Sequence, residues 1–122
     1  MQIEGKRILL TGATGGIGRL VAQKLHVGGA DLILGCYDLD ALEALRAELG
    51  SRHAIVCADI SCADGRRAVI DACIAEDGID CVINLAGILD FGMFEQQDAS
   101  LLERMVAINL TAPVVLTPGL LP

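Results

Sequence analysis

The chain has 122 residues and a formal net charge of −7, and its few Lys and Arg residues do not cluster. A chain of this length is expected to form one domain, residues 1–122, that buries about 65% of its unfolded surface. The acidic charge argues against DNA or RNA as a partner, and the absence of an apolar run near the ~18 residues that a membrane span needs argues against a membrane.

Four short apolar runs recur along the chain without the alternation that marks a half-exposed strand. Because such runs are typical of parallel sheets covered on both faces, each predicts a strand that is buried on both sides. The four predicted strands are residues 7–10, 32–34, 54–57 and 81–85.

Helical patterns lie between these runs. The first helix is expected to stop at Gly28-Gly29, where glycine fits a left-handed cap. The second follows Asp38 or Asp40 as N-cap and stops at Gly50. The apolar residues predicted to face the core are Ile17, Leu20, Val21 and Leu25 in the first helix and Leu42, Leu45 and Leu49 in the second.

The third helix is predicted from an apolar face of Val69, Ile70, Cys73 and Ile74. Ser61 followed by Asp64 resembles a capping box at its start. A loop over residues 87–98 and a last helix from about residue 100 follow. Within that helix Pro113 and Pro118 each remove a backbone donor, so they are expected to kink or end it.

The alternation of strands and helices predicts an α/β fold with a doubly wound parallel sheet. Right-handed crossovers give the expected strand order 3-2-1-4, and ligands of such sheets bind at the carboxyl ends of the strands.

Residues 11–18 read Thr-Gly-Ala-Thr-Gly-Gly-Ile-Gly and join the first strand to the first helix. Glycines allow a tight turn and a close approach of the backbone, and the N–H groups at the start of the following helix favour negative charge. The turn therefore predicts a dinucleotide-binding site.

Four motifs together carry a family resemblance. Thr11-Gly12, Gly16 and Gly18 match TGxxxGxG, residues 84–87 match NNAG except that Leu85 replaces the second Asn, and Asp59-Ile60 and Asn109 also match. On these residues the chain resembles the NAD(P)-binding half of the short-chain dehydrogenase/reductase (SDR) family. The resemblance covers essentially the whole chain, which corresponds to about the first half of a typical member.

The resemblance implies a Rossmann-type fold and a reaction in which hydride passes between nicotinamide and a small-molecule carbonyl or secondary alcohol. It also implies a homo-oligomer. Gly12, Gly15 and Gly18 equally satisfy TGxxGxxG, a variant of longer epimerase-like members, but the NAG at residues 84–87 favours the compact dehydrogenases.

The family's pattern implies a role for each matched residue. Thr14 and Ile17 would contact the cofactor from the glycine turn, and Asp59 would accept from the adenine amino group while Ile60 packs nearby. Asn84, Ala86 and Gly87 would lie beside the cofactor ribose, with Asn84 bracing the sheet.

Cofactor choice is usually set at the end of the second strand. There the family's acidic position falls on Cys36 and its basic position on Tyr37, so neither determinant is present. Tyr37 could stack on adenine, and Asp38 could reach the ribose. Because no acid at residue 36 repels a 2′-phosphate, the sequence favours NADP over NAD.

Asn109 is the one residue of the family's Asn-Ser-Tyr-Lys set that this sequence contains. The only tyrosine is Tyr37, the lysines are Lys6 and Lys24, and no YxxxK occurs. The resemblance places the catalytic Ser and YxxxK beyond Pro122. An alternative is therefore a catalytically silent dinucleotide-binding fragment, in which Asn109 is a mid-helix residue satisfied by a backbone carbonyl.

The five cysteines show no CxxC pair and no zinc-ligand spacing, so no metal site is predicted. They are interpreted as reduced core thiols of a cytoplasmic protein, in keeping with an N-terminus that lacks the layout of a signal peptide. His26 and His53 are interpreted as partly exposed structural residues.

Overall fold

The computed structural model describes residues 2–121. Four strands form one parallel sheet in the order β3-β2-β1-β4, which confirms the predicted order. They are β1 (Arg7–Thr11), β2 (Asp31–Cys36), β3 (Ala54–Cys57) and β4 (Cys81–Asn84). Leu9 of β1 lies beside Ile33 of β2 on one side and Val82 of β4 on the other.

Helices connect the strands and cover both faces of the sheet. They are α1 (Gly16–Val27), α2 (Leu39–Leu49), α3 (Ala63–Ala75), α4 (Ala99–Val106) and α5 (Ala112–Leu120). A π-helical turn (Ala107–Thr111) joins α4 to α5, and a short 3₁₀ turn (Phe94–Gln96) interrupts the loop before α4.

Alternate residues of β1 belong to different cores because side chains of a strand point to opposite faces. Ile8 and Leu10 are buried with residues of α1 and α2, whereas Leu9 is buried with residues of α3 and α5. The sheet is therefore a middle layer between two helical layers, and β1 and β2 are covered on both faces as predicted.

Three details of the predicted packing were wrong. β3 and β4 are only partly buried because each lies at an edge of the sheet. Ile17 and Leu20 are 70% and 60% exposed, since α1 faces the sheet with the small residues Gly18 and Ala22. Ile74 is likewise exposed, and only the remainder of the predicted α3 face is covered.

The helix ends agree with the sequence in α2 but not in α3. Asp38 is the N-cap of α2, and Gly50 ends it with a positive φ of 119°. The predicted capping box of α3 does not form, because the N-cap is Cys62 and Ser61 instead donates to Asp59.

The two prolines do not end the last helix. Pro113 stands in the first turn of α5, directly after the π-helical turn, where the N–H of Ala112 donates to the carbonyl of Ala107. The helix continues through Pro118 to Leu120.

By length and composition alone, the stretch Ala99–Leu120 could cross a membrane. The expectation that no segment reaches this length was therefore wrong. The stretch contains Glu103 and Arg104, and it buries Ala112 and Leu116 against the sheet, but most of its other residues are exposed or only partly buried.

Candidate functional site

A cleft of about 590 Å³ opens at the carboxyl ends of the four strands. Its volume is in the range of small-molecule sites. Most of the residues that the sequence predicted for cofactor binding line it: Gly12, Thr14, Gly15, Tyr37, Asp38, Asp59, Ile60, Ala86 and Gly87. Five predicted residues stand outside the lining: Gly16, Ile17, Gly18, Asn84 and Asn109.

The glycine turn between β1 and α1 packs too closely for side chains at two positions. Gly12 has a φ of +67°, and a Cβ there would lie 2.6 Å from the backbone nitrogen of Ala86. A Cβ on Gly18 would lie 1.9 Å from the carbonyl oxygen of Gly12. These two glycines therefore let α1 and β4 approach the turn.

Gly15 and Gly16 have another environment. A Cβ on Gly15 would only reach ordinary contact, at 3.5 Å from the Gly12 oxygen, and one on Gly16 would meet nothing within 4 Å. Gly15 is also the N-cap of α1, so no cap side chain occupies the first N–H groups of this helix. The open space beside uncapped N–H groups fits a phosphate.

The end of β2 forms another wall of the cleft. Cys36 Sγ lies 2.8 Å from Thr14 Oγ1 and accepts the N–H of Asp38 at 3.4 Å. One carboxylate oxygen of Asp38 accepts the N–H of Ala41 at 3.1 Å, so this side chain caps α2. Tyr37 is 73% exposed, which leaves its ring free to contact a ligand.

Asp59, after β3, is held by two partners. Its Oδ1 accepts from the hydroxyl and the N–H of Ser61 at 2.6 and 3.0 Å, and its Oδ2 lies 3.3 Å from Nη1 of Arg104. The Ser61 hydrogen bonds, followed by Arg104, hold the pKa of Asp59 below its usual value.

Sequence reasoning missed Arg104, which is the only basic residue lining the described cleft. No motif marks it, because it reaches the site from α4, 45 positions away from Asp59.

The segment after β4 closes the cleft on its other side. Asn84 ends β4 beside Thr11, and the N–H of Ala86 donates to Thr11 Oγ1 at 3.2 Å. A Cβ on Gly87 would lie 3.3 Å from Oδ1 of Asn109, so the segment also packs closely against the π-helical turn.

Asn109 uses its whole side-chain amide on the backbone of one residue. Its Oδ1 accepts the N–H of Ile88 at 2.9 Å, and its Nδ2 donates to the carbonyl of Ile88 at 2.8 Å. The simpler interpretation of Asn109 was a mid-helix residue satisfied by one backbone carbonyl. The structure shows that carbonyl bond and a second bond, from the N–H of Ile88. A catalytic role for Asn109 stays a prediction.

No Tyr-Lys pair is assembled within residues 2–121. Tyr37 lines the cleft, whereas neither lysine does. Lys6 precedes β1 and lies 4.0 Å from Asp80, and Lys24 stands in the last turn of α1.

The histidines lie apart from the cleft. His53 is only 2% exposed, so the expectation of partial exposure was wrong for it. Its Nδ1 accepts the N–H of Leu32 at 3.1 Å, and its Nε2 lies 2.9 Å from Nδ1 of His26. Burial, aided by Arg52 and His26, lowers the pKa of His53.

All five cysteines are free, but only Cys73 is buried, and Cys57 and Cys62 are exposed. The interpretation as core thiols was therefore wrong for these two. Across residues 2–121, His, Cys, Asp and Glu form no group of three or more that could hold a metal ion.

The comparisons with known proteins agree with this geometry. The family model "short chain dehydrogenase" matches residues 6–122. Nodulation protein G of Rhizobium sp. (strain N33) is 36% identical over 117 residues, which are 95% of this chain and 48% of that protein. The chain thus spans about half the length of the curated relatives it matches.

Two solved structures are similar over nearly the whole chain. A glucose/ribitol dehydrogenase from Brucella melitensis has a TM-score of 0.92 and 35% identity, covering 100% of this chain and 53% of its own. A metagenomic short-chain oxidoreductase in complex with NADP has a TM-score of 0.88 and 28% identity, covering 98% and 56%. The strand order, the glycine turn and the match over residues 6–122 together show that the chain belongs to the short chain dehydrogenase family.

Proposed function

We propose that the cleft binds NADP or NAD, and that the protein is an oxidoreductase acting on a small-molecule carbonyl or secondary alcohol. One observation carries the proposal. The start of α1, which has no side-chain cap, adjoins a cleft at the carboxyl ends of the strands. The turn that leads into this helix has two positions, Gly12 and Gly18, where the packing leaves no room for a side chain.

The residues present fit a dinucleotide. The first N–H groups of α1 would hold the pyrophosphate. Tyr37, Asp59 and Ile60 would hold the adenosine end, and the backbone at Ala86 and Gly87 would contact the ribose on the nicotinamide side. When bound, the nicotinamide supplies the hydride acceptor or donor.

The protein's own contribution within residues 2–121 is binding and positioning. Asn109 holds the backbone at Ile88, which lines the cleft together with Ala86 and Gly87. The α4–α5 helix is thereby tied to the segment that would contact the cofactor. The alternative of a chain that only binds is not favoured, because the matching family and solved relatives are dehydrogenases and oxidoreductases.

The two glycines with free space provide the test. Gly16→Ala adds one methyl group that meets no protein atom and stands at the start of a helix, so we expect unfolding stability to stay equal or rise by up to about 1 kcal/mol. If the pyrophosphate lies against this position, the affinity for NADPH falls at least about tenfold, as isothermal titration calorimetry would measure.

Gly15→Ala is the matched comparison, because its added methyl group is also tolerated. The TGxxxGxG pattern predicts that Gly16→Ala is the more damaging variant, and TGxxGxxG predicts that Gly15→Ala is. Gly92→Ala, in the loop before α4, controls for a methyl group placed elsewhere, where it would meet only the end of the Gln97 side chain at 3.2 Å. Equal affinity in all four proteins would remove the proposed site.

The same titration addresses the choice of dinucleotide. Cys36 stands at the position where an Asp or Glu would repel a 2′-phosphate, and Asp38 is engaged with the N–H of Ala41. We therefore propose that NADPH binds more tightly than NADH. Tighter binding of NADH that weakens in Asp38→Ala would reverse this preference.

A further inference from the structure

Cys36 and Cys57 are neighbours on adjacent parallel strands. They are paired in register at the ends of β2 and β3. Adjacent strands lie about 4.8 Å apart, within the Cα separation that a disulfide accepts. Cys36 of β2 and Ile55 of β3 both pack in the core beneath α1 and α2. Cys57 lies two residues after Ile55 and therefore shares its face of the strand. Cys36 and Cys57 thus belong to the same face of the sheet.

Both thiols hold the same peptide unit of the cleft wall. Cys57 Sγ donates to the carbonyl of Tyr37 at 3.4 Å, and Cys36 Sγ accepts the N–H of Asp38 at 3.4 Å. Cys36 also contacts Thr14 Oγ1. The three residues that these thiols contact line the cleft.

The two thiols differ in access. Cys57 is exposed, whereas Cys36 is partly buried and forms part of the cleft wall. A soluble oxidant therefore reaches Cys57 first, and Cys36 is the neighbouring thiol that can displace the adduct.

We propose that Cys36 and Cys57 form a redox switch that weakens dinucleotide binding when a small-molecule disulfide such as oxidised glutathione oxidises the pair. The effect on binding rests on the proposed function. Cys57 thiolate attacks the glutathione disulfide, forming a mixed disulfide and releasing one reduced glutathione. Cys36 thiolate then attacks the Cys57 sulfur, so the protein disulfide forms and a second reduced glutathione leaves. The two protons of the protein thiols are carried away by the two glutathiones.

The disulfide removes the contacts that the thiols make. Cys57 loses the hydrogen that it donates to Tyr37, and Cys36 must turn away from Thr14 and the N–H of Asp38. The wall formed by residues 36–38 is then free to move. We expect the affinity for NADPH to fall about tenfold and to recover after reduction.

The test compares the 122-residue chain after treatment with dithiothreitol and with oxidised glutathione. Non-reducing peptide mass spectrometry identifies a Cys36–Cys57 linkage, and calorimetry gives the affinity for NADPH. Intrinsic fluorescence reports on the wall directly, because Tyr37 is the only tyrosine and the chain has no tryptophan.

Two variants make the result specific. Cys57→Ser keeps a hydroxyl that can donate to the Tyr37 carbonyl, so its affinity should be the same under both treatments. Cys62→Ser removes another exposed thiol and should keep the linkage and the tenfold response.

Glutathione found on Cys57 without a Cys36–Cys57 linkage would overturn the switch, as would a linked protein with unchanged affinity. If neither redox form binds NADPH, the proposed function fails separately. In that case a Cys36–Cys57 linkage with altered Tyr37 emission still supports a disulfide that changes the wall of residues 36–38, and an unlinked pair or unchanged emission rejects it.

Discussion

Asn109 shows how one side chain can matter to a site that it does not line. Its amide donates to and accepts from the backbone of Ile88, in the segment that follows Ala86 and Gly87. The pair of bonds needs a side-chain amide, because one atom of the group must accept a hydrogen bond and another must donate one. The sequence marked the residue through a motif but could not show its partner, 21 positions away.

His53 makes stability depend on pH. Its Nδ1 must be unprotonated to accept the N–H of Leu32, and burial lowers its pKa in the folded state. Below about pH 6.5 the unfolded chain therefore binds more protons at this residue than the folded chain does. We expect the contribution of His53 to the free energy of unfolding to be complete above about pH 7. This contribution should be lost as the pH drops through the folded pKa of His53.

Urea unfolding between about pH 7.5 and about pH 5 would measure this slope, in a window above the titration of Asp59. His53→Asn retains a side-chain acceptor for Leu32 without a titrating ring, so its slope should be shallower. His26→Asn leaves the Leu32 bond in place and should keep more of the slope. A slope that is identical in His53→Asn would show that another group causes it.

At the scale of the elements, α1 explains where hydrophobic patterns mislead. The sequence predicted a core face containing Ile17 and Leu20, but the helix faces the sheet with Gly18 and Ala22. Gly18 packs so closely against the Gly12 carbonyl that no side chain would fit there, and this contact sets the distance between α1 and the turn that follows β1. Small residues carry little weight in a hydrophobic pattern, so the buried face was assigned to the larger neighbours.

This packing predicts opposite effects for neighbouring positions of α1. Leu20→Ser should change the free energy of unfolding by no more than about 0.5 kcal/mol, because Leu20 is mostly exposed. Ala22→Leu should cost about 1–3 kcal/mol, because Ala22 is fully buried and extra methylenes must be forced in. Chemical denaturation of both variants measures the difference, and a larger loss in Leu20→Ser would contradict the orientation of the helix.

For the whole molecule, the sequence predicted the fold better than the site. Strand order follows from alternating elements and right-handed crossovers, which are local signals combined with one general rule. The cleft at the strand ends follows from the same order. The links that shape the cleft, Asp59 with Arg104 and Asn109 with Ile88, join distant elements, so neither spacing nor composition indicates them.

The remaining prediction concerns an edge strand of the sheet and three exposed apolar side chains. β4 is an edge strand, and Val106 of α4, Leu110 of the π-helical turn and Val114 of α5 are 54%, 60% and 61% exposed. Exposed apolar side chains and free sheet edges favour association. We expect the 122-residue chain to self-associate as its concentration rises, which sedimentation velocity would measure.

Placing charges on this surface should reverse the association. Leu110→Lys combined with Val114→Lys should shift the distribution to the monomer. The variant loses apolar area that the contact would bury, and burying two lysines there adds a desolvation cost. Val27→Lys, at the far end of α1, changes an equally aliphatic and 86% exposed side chain and should leave association as it is. If the double variant associates like the parent chain, the contact lies elsewhere, and the free edge of β4 becomes the surface to block.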